Sequence, residues 1–409
     1  MPHKITIIGA GPGGLMAAER LGQLGYEVHI YDHKPTPARK FLIAGLGGLN
    51  ITHSEPIEKF LSRYGEAEDF IKPFITNFSP DDLRAWCLSL GEETFVGSSG
   101  RVFPKSFKAS PLLRTWLKRL NDLGITLHTN HHWTGWDNDQ ALTFKTFPLE
   151  GGRLDGTNTI IKQADATILA LGGASWPRLG SDASWTKILG DKNIDLIPFS
   201  PSNCGFAVNW SEVYKSKFAG TPLKSIELTH NGTSVRGEAL ITEKGIEGGG
   251  IYALSKSIRQ SLEKDGEAKL SIDLKPDLMV QELSDRLSKP RGRDSQTNFI
   301  RKHTGLSPNA ISLLYEFKDD QRTLAEQIKR VDIPLTAPFA IERAISSAGG
   351  INRDELDQSL MLKKLPSVFA IGEMIDWEAP TGGYLLQATF SMGASVAKGV
   401  DKYIKGSNI

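Results

Sequence analysis

The chain has 409 residues, 39% of them hydrophobic, with 48 Lys and Arg against 47 Asp and Glu. A formal charge of +1 gives no bias toward nucleic acid or acidic membrane surfaces, and no apolar run is long enough to span a bilayer. The length supports two or three domains; the two distant cysteines, Cys87 and Cys204, argue against a disulfide framework or a redox dithiol and make a reducing cytoplasm the simplest setting.

The chain opens on Lys4-Ile-Thr-Ile-Ile-Gly9-Ala10-Gly11-Pro12-Gly13-Gly14. The β-branched run predicts a buried parallel strand, and the Ala-rich apolar stretch Leu15 to Leu24 predicts a helix. Gly9, Gly11 and Gly14 stand at Gly-x-Gly-x-x-Gly spacing. In that setting the first glycine permits a tight turn, the second lets backbone approach a pyrophosphate, and the third lets helix pack on strand. The helix N-terminus offers N–H groups and a positive dipole end to the phosphates. A second strand, Glu27 to Tyr31, delivers Asp32, placed to accept from a ribose hydroxyl. Together these elements predict a dinucleotide site, and a motif so near the first residue leads us to expect no signal peptide.

Lys34 to Gly48 is basic and rich in Pro and Gly, and leads into Leu49-Asn50-Ile51-Thr52-His53-Ser54. Ile57 to Leu90 reads as helices, with Ser79-Pro80-Asp81-Asp82 combining a cap, a first-turn proline and acids. Ser110-Pro111 opens a helix to about Leu123. Strands near Thr126, Trp133, Thr143 and Thr159 predict a β-meander, with His131-His132 in one of its turns. Ala166 to Leu171 is another buried strand, ending in Gly172-Gly173. The expected organisation is a nucleotide domain, 1–198 and 334–409, interrupted by a β-rich subdomain, 199–275, and a helical subdomain, 276–333. In the last part, Ser367 to Ile371 is a strand and Tyr384 to Ile404 a long helix.

Gly372-Glu373-Met-Ile-Asp376, followed by Gly382-Gly383-Tyr384-Leu385, puts a carboxylate after a strand and a Gly-Gly helix start behind it. That suits a polyol chain and developing negative charge on a ring. Three such loops match how FAD is held. No second glycine fingerprint with a downstream acid exists, so a dedicated nicotinamide domain is not expected.

These segments resemble the BaiN/RdsA-type flavoproteins, NAD(P)/FAD-dependent or aminoacetone-oxidase-like oxidoreductases. The markers are Gly9 to Gly14, Arg39-Lys40 through Thr52, Ser99 to Pro104, Ala170 to Ser175, and Gly372-Glu373 through Gln387. The resemblance runs essentially end to end. It implies an α/β fold, with a glutathione-reductase-type, Rossmann-like FAD domain and an inserted β-barrel-like part plus a small helical domain. It also implies that Asp32 binds the adenosine ribose and that Lys40, Gly48, Asn50 and Thr52 line the cofactor. Glu373 would hold the ribityl chain, with Asp376 and Gly382 to Leu385 by the ribityl chain and flavin ring. Two departures mark a distinct subgroup: Gly48-Leu49-Asn50 replaces Arg-Cys-Asn, and Thr242-Glu243-Lys244-Gly245 replaces a Thr-His-x-Gly loop.

A flavin performs hydride transfer itself, so the protein supplies positioning, a proton route and electrostatics. Glu243 and Glu247 are catalytic or substrate-contact candidates that would favour a cation such as an amine; the plainer reading is that they are solvated surface acids. Gly245 to Gly250 could bring backbone N–H groups to a ligand. Arg101 and Lys105 form either an anion site or a basic loop paired with acids. Trp176 covers the cofactor or packs, Trp377 and Tyr384 are placed to line the ring pocket, and His53 is a proton donor or structural. No spacing suits a metal. The expected function is an FAD-dependent oxidoreductase acting on a small-molecule substrate, with NAD(P)H or oxygen as redox partner and the insertion setting selectivity. The alternative is a flavin-binding redox sensor or partner module.

Overall fold

The computed structural model describes residues 3–146 and 159–406, which divide into unit 1 (those up to 200 and from 346 on) and unit 2 (201–345). In chain order, unit 1 opens with β1 (Lys4–Ile8), β2 (Glu27–Tyr31), β3 (Thr52–His53), β4 (Thr94–Val96) and β5 (Arg101–Pro104). It continues with β6 (Thr126–His128), β7 (His131–Trp136), β8 (Leu142–Thr146), β9 (Thr159–Lys162) and β10 (Ala166–Leu169). After β11 (Leu196–Ser202), unit 2 holds β12 (Phe206–Ala207), β13 (Pro222–His230), β14 (Thr233–Thr242), β15 (Gly245–Glu247), β16 (Ala268–Asp273) and β17 (Val331–Leu335). The chain then re-enters unit 1 with β18 (Ser346–Ile351) and β19 (Val368–Ala370).

The main sheet of unit 1 is parallel, in the order β19-β10-β1-β2-β6. Ile5, Ile7 and Ile8 of β1 and Ala166, Ile168 and Leu169 of β10 are fully buried, as strands covered on both faces require. The helix Pro12–Gln23 leaves β1 and packs on the terminal helix Tyr384–Gly406. Their approach is close: a Cβ on Gly393 would lie 2.5 Å from the Gly13 carbonyl oxygen. Both helix N-termini are thereby held near the carboxyl ends of the strands. The helix Pro80–Ser89 starts with the reciprocal cap expected, Ser79 Oγ accepting from the Asp82 N–H and Asp82 accepting from the Ser79 N–H.

Several expectations need correction. Thr126–His128 is the edge of the parallel sheet, His29 opposite Thr126, and only β7, β8 and β9 form the meander. His131 and His132 lie on β7, opposite Thr146 and Lys145, not in a turn. The helix expected at Ser110 starts at Ala109, with extended Lys108 before it.

Unit 2 carries one sheet, β12-β15-β14-β13-β16-β17. Its edges meet where Ala207 donates to Ala337 O (2.8 Å) and accepts from the Thr336 N–H (3.0 Å), which gives the barrel-like closure. Strand and helix side chains share one core, with Leu228, Leu270 and Ile272 among Leu283, Ile300, Ile311 and Ile328. The β-rich and helical segments are therefore one body. The return to unit 1 also comes later than Pro334, because β17 pairs with β16 and re-entry follows at Ser346.

Candidate functional site

The first glycine loop follows from steric necessity. Gly9 has φ 106°, and a Cβ there would sit 2.2 Å from Ala170 O, just past the end of β10. A Cβ on Gly14 would come within 2.1 Å of Gly9 O. Gly11 differs, since its Cβ position meets nothing within 4 Å, so this backbone is open for a ligand to approach. Asp32, at the end of β2, accepts from the Ala10 N–H through Oδ2 (2.8 Å) and from the Lys34 N–H through Oδ1 (2.8 Å). The carboxylate braces the loop and keeps lone pairs for a ribose hydroxyl.

The other two loops are tied together by charge. Lys40 Nζ donates to Glu373 Oε2 at 2.7 Å and to Ser175 Oγ at 2.6 Å. Glu373 Oε1 accepts from the Ser347 N–H (2.9 Å), and Ser347 Oγ accepts from the Ala174 and Ser175 N–H groups (2.8 and 3.2 Å). Gly173 permits this, since a Cβ there would be 2.5 Å from Ser347 Oγ. Asp376 uses Oδ1 on the Gly349 N–H (3.1 Å), which leaves Oδ2 for a ligand. Trp377 donates to Gly372 O (2.8 Å) and so closes its own turn. Trp176 is half-buried in a left-handed conformation, φ 62°. Ser347 was missed in the sequence; its signal is the Ser-Ser-Ala-Gly-Gly run ending at Gly350.

A third cluster surrounds the start of the terminal helix. Gly383 is required there, because its Cβ would lie 2.5 Å from the Thr52 Cα. Asn50 Nδ2 donates to Thr52 O (2.8 Å) and Val102 O (3.1 Å), which fixes β3. Gly382 and Tyr384 are buried and Leu385 packs on the core. The Tyr384 hydroxyl donates to Glu55 Oε1 at 2.6 Å, and Arg63 clamps Glu55 with Nε and Nη2 (3.0 and 2.8 Å). Burial pulls the Glu55 carboxyl up, but the bonds from Arg63 and Tyr384 outweigh it and hold it below the usual range. Burial and then the bond to Glu55 push the Tyr384 phenol up. The tyrosine is thus a lock between elements, with its proton committed. His53 is committed as well: Nδ1 accepts from the Glu55 N–H (3.1 Å), so Nε2 carries the hydrogen and donates to Ser99 O (3.0 Å). Both nitrogens are engaged within the protein, which favours the structural reading of His53.

In unit 2, Glu243 and Lys244 are exposed at the turn between β14 and β15, and Glu247 is half-buried. Two of the glycines beyond serve packing. A Cβ on Gly245 would be 1.9 Å from Phe206 O, and one on Gly250 would be 2.3 Å from Leu228. Gly245 and Gly250 do not open backbone toward a ligand, whereas exposed Gly249, whose Cβ position meets nothing within 4 Å, leaves its backbone accessible.

Four of the seven buried side-chain polar atoms that lack a hydrogen-bond partner among the described residues are His33 Nε2, Arg39 Nε, Thr52 Oγ1 and Ser181 Oγ. Such groups are costly unless a ligand satisfies them. Their place beside Asp32, Lys40, Gly383 and Gly172, together with open Gly11, fits FAD.

A family profile described as the HI0933-like protein Rossmann domain matches residues 3–399. The chain belongs to this family. Within reach of the HI0933-like chain are two curated relatives, each 24% identical: the 3-dehydro-bile acid delta(4,6)-reductase of Clostridium scindens (96% of this chain, 97% of the relative) and the ribosomal RNA dihydrouridine synthase of Escherichia coli (96% of both). Among solved structures, the open conformation of a flavocytochrome c3 fumarate reductase superposes with a TM-score of 0.53 at 15% identity, over 98% of this chain and 78% of that one. Mycobacterium smegmatis Sdh1 gives 0.50 at 13%, over 99% and 69%. The HI0933-like chain is an FAD-dependent oxidoreductase with a Rossmann-like FAD domain, which sets aside the sensor without turnover. No helix of the described residues is long and apolar enough to cross a membrane.

Proposed function

We propose that this protein reduces a ring carbon–carbon double bond conjugated to a carbonyl group, taking electrons from NADH or NADPH. The observation that carries the flavin part is the Lys40–Glu373–Ser347 lock joining the glycine loops. Support for the substrate class comes from the two relatives, whose names describe saturation of ring double bonds, in a 3-dehydro bile acid and in uridine.

Bound FAD supplies the two-electron chemistry. This chain's residues hold it: Gly9 to Gly14 and Asp32 at the nucleotide end, Gly172, Gly173 and Trp176 in the middle. Lys40, Gly48, Asn50, Thr52, Gly372, Glu373, Asp376 and Gly382 to Leu385 hold the ribityl and ring end. An amine substrate has less support, since Glu243 is an exposed turn residue and Gly245 and Gly250 are packing glycines. Two free, buried thiols, Cys87 and Cys204, accord with a reducing cytoplasm.

The test is anaerobic stopped-flow. Reduced nicotinamide should bleach the flavin, and a steroid 4-en-3-one or uridine should then restore it with formation of the saturated product. Bleaching of the oxidised flavin by aminoacetone, with no reoxidation by either unsaturated compound, would reverse the assignment in favour of amine oxidation.

A further inference from the structure

The small sheet β3-β5-β4 has two unlike faces. Thr52 and Val102, paired across β3 and β5, are fully buried. On the other face stand Arg101, opposite His53, and Phe103, opposite Phe95. Phe95 and Phe103 stack with centroids 5.7 Å apart, and Phe107 closes the group at 4.9 and 5.6 Å from them. All three rings are accessible, Phe107 by 49%. A Cβ on Gly48 would meet the Phe107 ring at 3.2 Å and the Phe103 ring at 3.8 Å, so the rings lie against the loop that runs on to Asn50 and Thr52. Leu46, on that same loop, is 83% exposed.

Phe107 also sits at φ 59°, a conformation that favours Gly or Asn over an aromatic residue. The structure thus holds an aromatic ring toward solvent at a backbone position where another residue would be more stable. Of the charges around it, the Glu92 carboxylate accepts from the Ser106 N–H (3.0 Å). Lys105 is neutralised by Glu93, whereas Arg101 and Lys108 are exposed and form no ion pair with the described residues.

We infer that this face seats the substrate, and that the substrate is a flat, conjugated ring system bearing an anionic group. This deepens the proposed reduction of a conjugated ring and rests on it. A planar ring gains stacking on exposed aromatic rings, and a carboxylate or phosphate beside it matches the Arg101 guanidinium. A neutral ring would use only half of the surface, and a cation would meet like charge.

The experiment measures binding alone, so that its failure is separable from failure of the reduction assay. Oxidised holoenzyme is titrated with 2-naphthoate, 2-naphthamide and 2-naphthylmethylamine, read by the perturbation of the flavin spectrum. Naphthoate should bind tightest and the amine weakest. Phe107→Gly should weaken naphthoate and naphthamide by about tenfold, while relief of the strained φ keeps the melting temperature from falling. Arg101→Gln, an exposed change that leaves the fold intact, should cost naphthoate about threefold and naphthamide nothing. The inference is overturned if the amine binds tightest, or if both variants bind naphthoate like the wild type. It is equally overturned if sedimentation shows a dimer that Phe107→Asp converts to monomer, since the face would then be an interface between copies.

Discussion

The Asp32 carboxylate already accepts two backbone N–H bonds, from Ala10 and Lys34, so its position is set by the loop it braces as much as by any ribose. Asp32→Ala removes both functions. Charge-assisted bonds of this kind contribute about 1.5–3 kcal/mol, so FAD affinity should fall roughly ten- to a hundredfold. The apoprotein should also melt earlier, since Ala10 and Lys34 lose their acceptor. Asp32→Asn, with one oxygen left, should fall between. FAD titration with calorimetry checks both effects, and an Ala variant with unchanged affinity would remove Asp32 from the site. At this scale residue types were legible in the sequence, but residue commitments were not. Tyr384 and His53 are plausible proton carriers by type. Only the pairing of residues more than 300 positions apart shows that Glu55 holds the Tyr384 hydroxyl, and only the fold shows both His53 nitrogens in use.

The loop from β1 into the helix Pro12–Gln23 separates two kinds of glycine that the motif alone treats alike. Gly14 is required by the protein itself, because its Cβ would strike Gly9 O at 2.1 Å, whereas Gly11 faces open space. Gly14→Ala should destabilise the protein with or without cofactor, by about 1–3 kcal/mol for an overpacked contact. Gly11→Ala, at an ordinary φ of −78°, should leave the apoprotein's melting temperature unchanged and lower FAD affinity at least tenfold. If Gly11→Ala binds FAD normally, the pyrophosphate does not pass over this residue. The same contrast explains what the sequence made legible. In the Gly-x-Gly-x-x-Gly spacing Gly9 and Gly14 answer to backbone collisions within the fold and Gly11 to open space for a ligand, and all three demands fall within six consecutive residues, so they show as a local pattern. The Ser347 contact and the edge position of β6 arise from long-range pairing and leave little local pattern. Gly245 and Gly250 show the converse error, glycines read as ligand-facing that are held by Phe206 and Leu228.

The two units differ in how acid should affect them. The interrupted Rossmann-like domain was legible because β1, β10 and β19 are short, apolar and run into glycine at Gly9, Gly172 and Gly372; the extent of the insertion was not, because β17 resembles a core strand of either unit. Unit 1 holds a group of imidazoles near the carboxyl end of β2. His29 donates through Nε2 to Glu27 (3.0 Å), so its Nδ1 accepts from His128 Nε2 at 3.1 Å, and His128 stacks on Tyr31. Burial, then the neighbouring His29 and His131, depress His128 to about 4. Burial also lowers His33 and His132, despite the opposing charge of Asp182 and, at His33, Asp32. An unfolded histidine titrates near about 6.5. Between about 6.5 and 4 the unfolded chain therefore binds more protons than the native one, so stability falls as pH falls. In unit 2 Glu326 is held low by its bonds from Thr323, and Asp332 lower still: burial raises it, but bonds from Ser271, Arg322 and Arg330 outweigh that and bring it to about 2. Its contribution is present above the ordinary carboxylate value and is lost only as pH falls toward 2. Unit 1 should accordingly weaken first on acidification. Trp210 is the one tryptophan of unit 2, so in a Trp210→Phe background indole emission reports unit 1 alone. With FAD saturating, its urea midpoint should drop steadily from about pH 6.5 to about 4, and His128→Gln should make that slope shallower. A midpoint independent of pH over this range, or an unchanged slope in the variant, would show that these imidazoles do not govern the acid stability of unit 1.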